Sequence, residues 1–174
     1  MQHKRLWSIL VVLLLASAAT FAEPPAAGEP APDFTLPSNG QFNLNLSEQR
    51  GSLVAIVFWA SWCRSCPAQL RAFEALQEKH SKHPLTIWSI ALDKDKSSAE
   101  QYVQQEGLRL PVLFDQDARV SKTFDINDLP VTYIVDWDGN IRYFQNGYEP
   151  DDAEKFDGIM QELFQQYPQV KRAL

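Results

Sequence analysis

Cys63 and Cys66 are the only two cysteines of the chain, and they stand two residues apart in the run Trp59-Ala60-Ser61-Trp62-Cys63-Arg64-Ser65-Cys66-Pro67. Thiols at that spacing can close a disulfide and open it again. A thiolate attacks a substrate disulfide to give a mixed disulfide, and the second thiol resolves it. The local sequence favours this chemistry. An apolar run ends just before the pair and a helical pattern opens at Pro67, a residue suited to an early helical position. A Cys at a helix start meets unpaired N–H groups and the positive end of the helix dipole, both of which favour the thiolate. Cys63 is therefore the expected nucleophile and Cys66 the expected resolving thiol. Arg64 adds a positive charge beside Cys63.

Other uses of two cysteines fit less well. A purely structural disulfide would close a very small loop and remove little chain entropy. A c-type haem site requires His directly after the second Cys, where this chain has Pro67. Cys63, Cys66, His80 and His83 follow a C-x2-C-x13-H-x2-H pattern close to a zinc finger, but the His pair is one residue too tight. His80 and His83 are read as solvated residues at a helix end, and no metal is expected.

The elements that would position the pair can be traced along the chain. A Pro-Ser-Asn-Gly turn at 37–40 separates Phe34-Thr35-Leu36 from Phe42-Asn43-Leu44, a short β-hairpin. Leu53 to Ala60 lacks alternation, as does Leu85 to Leu92, and both fit strands buried on two faces. The helix from Pro67 carries Leu70, Phe73, Leu76 and Gln77 at three- and four-residue steps and fades near His80 to Pro84. Ser97 or Ser98 can cap a helix that stops at Gly107. A short strand at Pro111 to Phe114, a short helix at Ala118 to Phe124 and a strand at Val131 to Val135 follow. Asp138-Gly139 turns the chain into Ile141 to Phe144. Asp151-Asp152-Ala153-Glu154 has a capping-box pattern and opens a last helix with an apolar stripe, with Pro168 beyond it. Tyr133, Trp137, Tyr143 and Phe144 are expected to pack the terminal hairpin. The order implies an α/β fold with a mixed sheet and helices on both faces.

A chain of 174 residues with 45% apolar content can bury a core without staples. The net charge of −6 disfavours nucleic acid and anionic membrane surfaces, which call for basic patches. At the N-terminus, Lys4 and Arg5 precede an apolar run to Ala16, and small residues lead to Ala22. That is the pattern of a signal peptide over residues 1–22. Cleavage is expected after Ala22, with Ala18 or Ala19 as alternatives. The competing reading is an uncleaved anchor, although the run is shorter than the roughly 20 residues a spanning helix prefers. No Cys ends the run, so no lipid anchor is expected there. Either way the domain should face an oxidising compartment, a periplasm in preference to a eukaryotic lumen. Residues 23–32, rich in Pro and Ala, read as an extended linker, 33–168 as the domain and 169–174 as a tail.

The segments FWASWCRSCPAQL and LPVTYIVDWDGNI, with APDFTL near the start and IALDKDKSSAEQYVQQEGLRLPVLFD between them, resemble the TlpA/ResA-like branch of thioredoxin-fold proteins. The likeness runs from residue 31 to about 166. It implies a thioredoxin fold with an N-terminal β-hairpin and a central strand-helix insertion. It makes Leu129-Pro130 the cis-proline loop facing the two cysteines, where free backbone groups could pair with an extended substrate segment. Three positions depart from the family pattern. Ser65 stands where Pro often precedes the second Cys, and Val131 stands where Thr often follows the cis-Pro. Val57 occupies the place of the buried Asp of thioredoxin itself. The branch it resembles instead carries an acid near the end of the next strand. That makes Asp93 the candidate for moving protons to and from Cys66, with Asp95 second. The alternative is that both are solvated loop acids.

Trp59 is expected to pack beside the active-site turn. Trp62 should lie partly exposed beside Cys63, where it could contact substrate or simply pack; Leu129 and Pro130 complete the expected substrate surface. A peroxiredoxin would need Pro seven residues and Thr or Ser three residues before its reactive Cys, and Ile56 and Ala60 stand there. The expected activity is that of a protein-disulfide oxidoreductase without cofactor, acting as a monomer on proteins that bear disulfides or thiols. The resemblance suggests a specific reductant fed by a membrane thiol-disulfide carrier, serving apocytochrome c or an oxidised metallochaperone. An oxidant or isomerase of secreted proteins and a redox-inert peptide-binding module are the alternatives.

Overall fold

The unbroken apolar run Leu53–Trp59 forms β3, the middle strand of the main sheet, and every residue in it is buried. A strand covered on both faces needs no polar alternation, which explains its sequence. A computed structural model describes residues 24–166; the signal-peptide and C-terminal-tail expectations lie outside them. Two short strands come first, β1 (Thr35–Leu36) and β2 (Leu44–Asn45), paired antiparallel as the expected hairpin. After β3 the order is α1 (Cys66–Lys79), β4 (Leu85–Ala91), α2 (Lys96–Glu106), β5 (Val112–Phe114), α3 (Arg119–Thr123), β6 (Val131–Val135), β7 (Ile141–Asn146) and α4 (Asp152–Gln166).

The main sheet runs β5-β4-β3-β6-β7. β3 is parallel to β4 and antiparallel to β6, so the sheet is mixed. Side chains of β3 alternate between two cores. Leu53, Ala55, Val57 and Trp59 meet residues of α1, α2 and α4, among them Leu70, Phe73, Ala99, Phe156 and Met160. Val54, Ile56 and Phe58 meet Phe34, Leu36 and Leu46 of the N-terminal region and Val120 and Phe124 of the α3 region. The hairpin therefore closes the face that α3 alone is too short to cover. Its loop also covers the edge strand: Asn39 N–H donates to the Val112 carbonyl (2.9 Å) and Phe114 N–H to the Pro37 carbonyl (2.9 Å).

Three local readings change. The cap of α2 is Asp95 and not a serine; its carboxylate accepts from Ser97 N–H (3.0 Å) and Ser97 Oγ (2.7 Å). Gly107 ends that helix in the left-handed region, φ 64°, as expected. His80 is buried: its Nε2 lies 2.8 Å from Asp157 Oδ1 because the end of α1 packs on α4. His83 is exposed, as expected, and stacks on Phe164 with ring centroids 4.2 Å apart. Finally, part of the Pro/Ala-rich stretch is docked. Gly28 N–H and Ala31 N–H donate to the carbonyls of Ile141 and Gly139, and Ile141 N–H donates to that of Glu29.

Candidate active site

β3 delivers the chain to the site at Trp59, and α1 carries it away from Cys66. Cys63 and Cys66 are joined by a disulfide with 5.5 Å between their Cα atoms. The helix begins at Cys66, one residue ahead of the expected Pro67, with Ser65 as cap, so Cys66 and not Cys63 opens it and Cys63 stands in the turn ahead. Cys63 N–H donates to the Ala60 carbonyl (3.0 Å), which fixes that turn. Cys63 keeps 7% of its surface exposed and Cys66 none. Only the first cysteine therefore borders the outside. Trp62, 70% exposed, stands beside it, and Trp59 is wholly buried against Tyr102. Burial raises the pKa of the Tyr102 phenol; Glu106 adds to the rise and Arg71 opposes it.

Two further segments converge on this end of the sheet. β6 runs antiparallel to β3 with Val131 opposite Phe58, so Leu129-Pro130 lies at the Trp59 end. The Leu129–Pro130 bond is cis. The Pro130 carbonyl is already occupied, accepting from Gly147 N–H at 2.8 Å. β4 pairs Ala91 with Trp59 and ends just before Asp93. Asp93 is buried, and its carboxylate accepts from Ser61 N–H (3.0 Å) and from Ser61 Oγ (2.5 Å). Its hydrogen bonds thus hold the turn two residues ahead of Cys63. Asp95 is exposed and serves α2; the Ser97 hydroxyl, then the Ser97 N–H, hold its carboxyl below the usual carboxylate range.

One residue at the site escaped the sequence reading. Gln69 is fully buried, three residues after Cys66 and hence on the same side of α1. Its Nε2 donates to Thr132 Oγ1 at 2.7 Å, and its Oε1 has no partner. Thr132 pairs with Val57, which stands in the place of the buried Asp of thioredoxin itself. The available signal was the interval from Cys66 combined with a polar residue beside Leu70 in an apolar stripe. The zinc set is not brought together: the cysteines bond to each other, and His80 pairs with Asp157 beyond the far end of α1, a helix about 21 Å long at 1.5 Å per residue. Among the described residues no group of three or more His, Cys, Asp or Glu is placed to hold a metal ion.

The arrangement is that of a thiol-disulfide exchange centre: a near-surface sulfur, a buried partner sulfur at a helix start, and a proline loop at the same end of the sheet. Known proteins agree with it. The AhpC/TSA family model matches residues 27–144. The thiol-disulfide oxidoreductase ResA of Geobacillus kaustophilus (strain HTA426) is 29% identical over 147 residues, covering 80% of this chain and 84% of that one. ResA of Bacillus subtilis (strain 168) is 29% identical over 141 residues, 76% of this chain and 78% of that one. A Chlorobium tepidum crystal structure, provisionally named thiol:disulfide interchange protein DsbE, superposes with TM-score 0.77 and 25% identity, covering 80% of this chain and 99% of that chain. With the sheet order, the disulfide and these relatives in agreement, the chain belongs to the AhpC/TSA family, in its ResA/TlpA-like branch of thioredoxin-fold thiol-disulfide oxidoreductases.

Proposed function

We propose that the protein is an exported, monomeric reductant of specific protein disulfides, with Cys63 as the attacking thiolate and Cys66 as the resolving thiol. The observation that carries the assignment is the unequal burial of the two cysteines, 7% exposed against none. Attack needs access, and resolution needs only the neighbouring sulfur. Trp62 and the Leu129-Pro130 loop contact the substrate chain around Cys63. Asp93 receives the proton that Cys66 gives up as the mixed disulfide resolves. Electrons arrive from a membrane thiol-disulfide carrier and pass to exported proteins, apocytochrome c or an oxidised metallochaperone being the kinds the family resemblance suggests. Export rests on the signal-like residues 1–22. Among the described residues no helix is long and apolar enough to cross a membrane.

The reading is of disulfide exchange and not of peroxide reduction, since Ile56 and Ala60, both fully buried, stand where a peroxidatic site needs Pro and Thr or Ser. The reduction potential of the Cys63/Cys66 pair, measured against glutathione, tests the direction of electron flow. A reductant should lie near the thioredoxin value of about −270 mV; a value near −120 mV, as in DsbA, would make the protein an oxidant.

A further inference from the structure

We propose that Gln69 is the hydrogen-bond acceptor for the Cys66 thiol of the reduced protein, held in place by Thr132. The proposal rests on the reading of Cys63 and Cys66 as an exchanging pair and adds a positioning residue to it. Cys66 opens α1 and Gln69 follows three residues later on the same face. Side chains on a helix lean toward its N-terminus, so the Gln69 amide is directed back toward the turn that carries Cys66. Both residues are fully buried. Thr132, also fully buried, takes one end of the amide through the 2.7 Å bond from Nε2. The other end, Oε1, is left without a partner while Cys66 is held in the disulfide. A buried acceptor without a donor is rare and costly.

Reduction supplies the missing donor. The donor's first thiolate attacks Cys63 Sγ, the Cys63–Cys66 bond breaks, and Cys66 leaves as a thiolate that takes up a proton. The donor's second thiol then releases Cys63, so the donor is oxidised by two electrons and the protein pair gains two electrons and two protons. The new Cys66 S–H can donate to Oε1, whereas a disulfide sulfur cannot. Gln69 is therefore satisfied only in the dithiol form and favours that form. A neutral amide does so equally across the working pH range, which a carboxyl at this position would not.

The test is redox titration of the full chain in glutathione buffers across pH, with Gln69→Leu, Gln69→Glu and Thr132→Val. Gln69→Leu should shift the equilibrium toward the disulfide by about tenfold, about 30 mV more negative. Thr132→Val should shift it less, in the same direction. Gln69→Glu keeps an acceptor oxygen and should add an inflection with pH that wild type lacks. A folded Gln69→Leu protein that exchanges with glutathione at the wild-type equilibrium, or one shifted toward the dithiol, would overturn the assignment. A wild-type protein that fails to exchange at all would overturn the reading of the cysteine pair itself.

Discussion

The two sulfurs differ in what they can reach, and this sets an order of events. Cys63 borders the surface in a turn beside exposed Trp62, while Cys66 is sealed at the first position of α1. In the reduced protein, brief alkylation at neutral pH followed by peptide mapping should label Cys63 well ahead of Cys66, because only an accessible thiolate reacts. Equal labelling would reverse the proposed roles. Asp93 is the residue whose part is most open to experiment, because its carboxylate already has work in accepting two hydrogen bonds from Ser61. If it also serves the Cys66 proton, Asp93→Asn slows release of the mixed disulfide near neutral pH and leaves the first attack by Cys63 intact. Ser61→Ala provides the control, since it removes the 2.5 Å hydroxyl bond and keeps the carboxylate. The expected result is normal resolution in Ser61→Ala and slow resolution in Asp93→Asn, read by stopped-flow exchange with a model disulfide across pH. The same defect in both variants would reduce Asp93 to a clamp on the turn.

Elements were legible where local pattern and tertiary role coincide. The strand Val131–Val135 follows its expected bounds, and β3 falls one residue short of its apolar run, which ends at Ala60. The pattern was less informative where a partner lies far along the chain. His80 sits at a helix end, where solvent is the ordinary neighbour, and its carboxylate partner is 77 residues away. Gln69 resembles any polar residue beside an apolar stripe until Thr132, 63 residues on, is seen to hold it. The α1–α4 contact made by His80 is itself testable. Burial pushes the Asp157 carboxyl up, but the hydrogen bonds and charges of Lys79 and His80 outweigh it and hold the pKa below the ordinary value. A carboxyl with a lowered folded pKa stabilises the fold above its unfolded pKa, and that contribution disappears as pH falls through the folded value. Asp157→Asn should therefore cost about 1 kcal/mol near neutral pH, a typical net hydrogen-bond contribution. The gap between variant and wild type should close below about pH 3, under the ordinary Asp pKa of about 3.9. Urea denaturation at a series of pH values measures it, and a gap that stays constant down to pH 2 would show that the carboxylate charge adds nothing.

At the scale of the whole molecule, the sheet has a chemical end and an anchoring end. The chemical end is set by the Trp59 terminus of β3, where the disulfide turn, the proline loop and Asp93 meet. The anchoring end lies one strand length away, about 20 Å for a seven-residue strand. There Val54 pairs with Val135, and the turn that follows β6 receives residues 28–31. Three backbone hydrogen bonds and the buried Ala31 fasten that strap to Gly139 and Ile141. Composition suggested a free linker here, because Pro and Ala carry no side-chain signal for pairing; the contact is made through backbone groups that composition does not report. Residues 28–31 therefore join the domain at the end away from Cys63. This separation predicts that a chain beginning at residue 32 loses stability without losing chemistry, compared with one beginning at residue 24. The loss of three hydrogen bonds, at about 1 kcal/mol each and partly recovered through water, should cost about 1–3 kcal/mol. That change appears as a lower urea midpoint. The alkylation rate of Cys63 and the glutathione equilibrium of the pair should be the same in both chains. A shortened chain that folds but exchanges its disulfide differently would show that the strap acts on the site through the sheet.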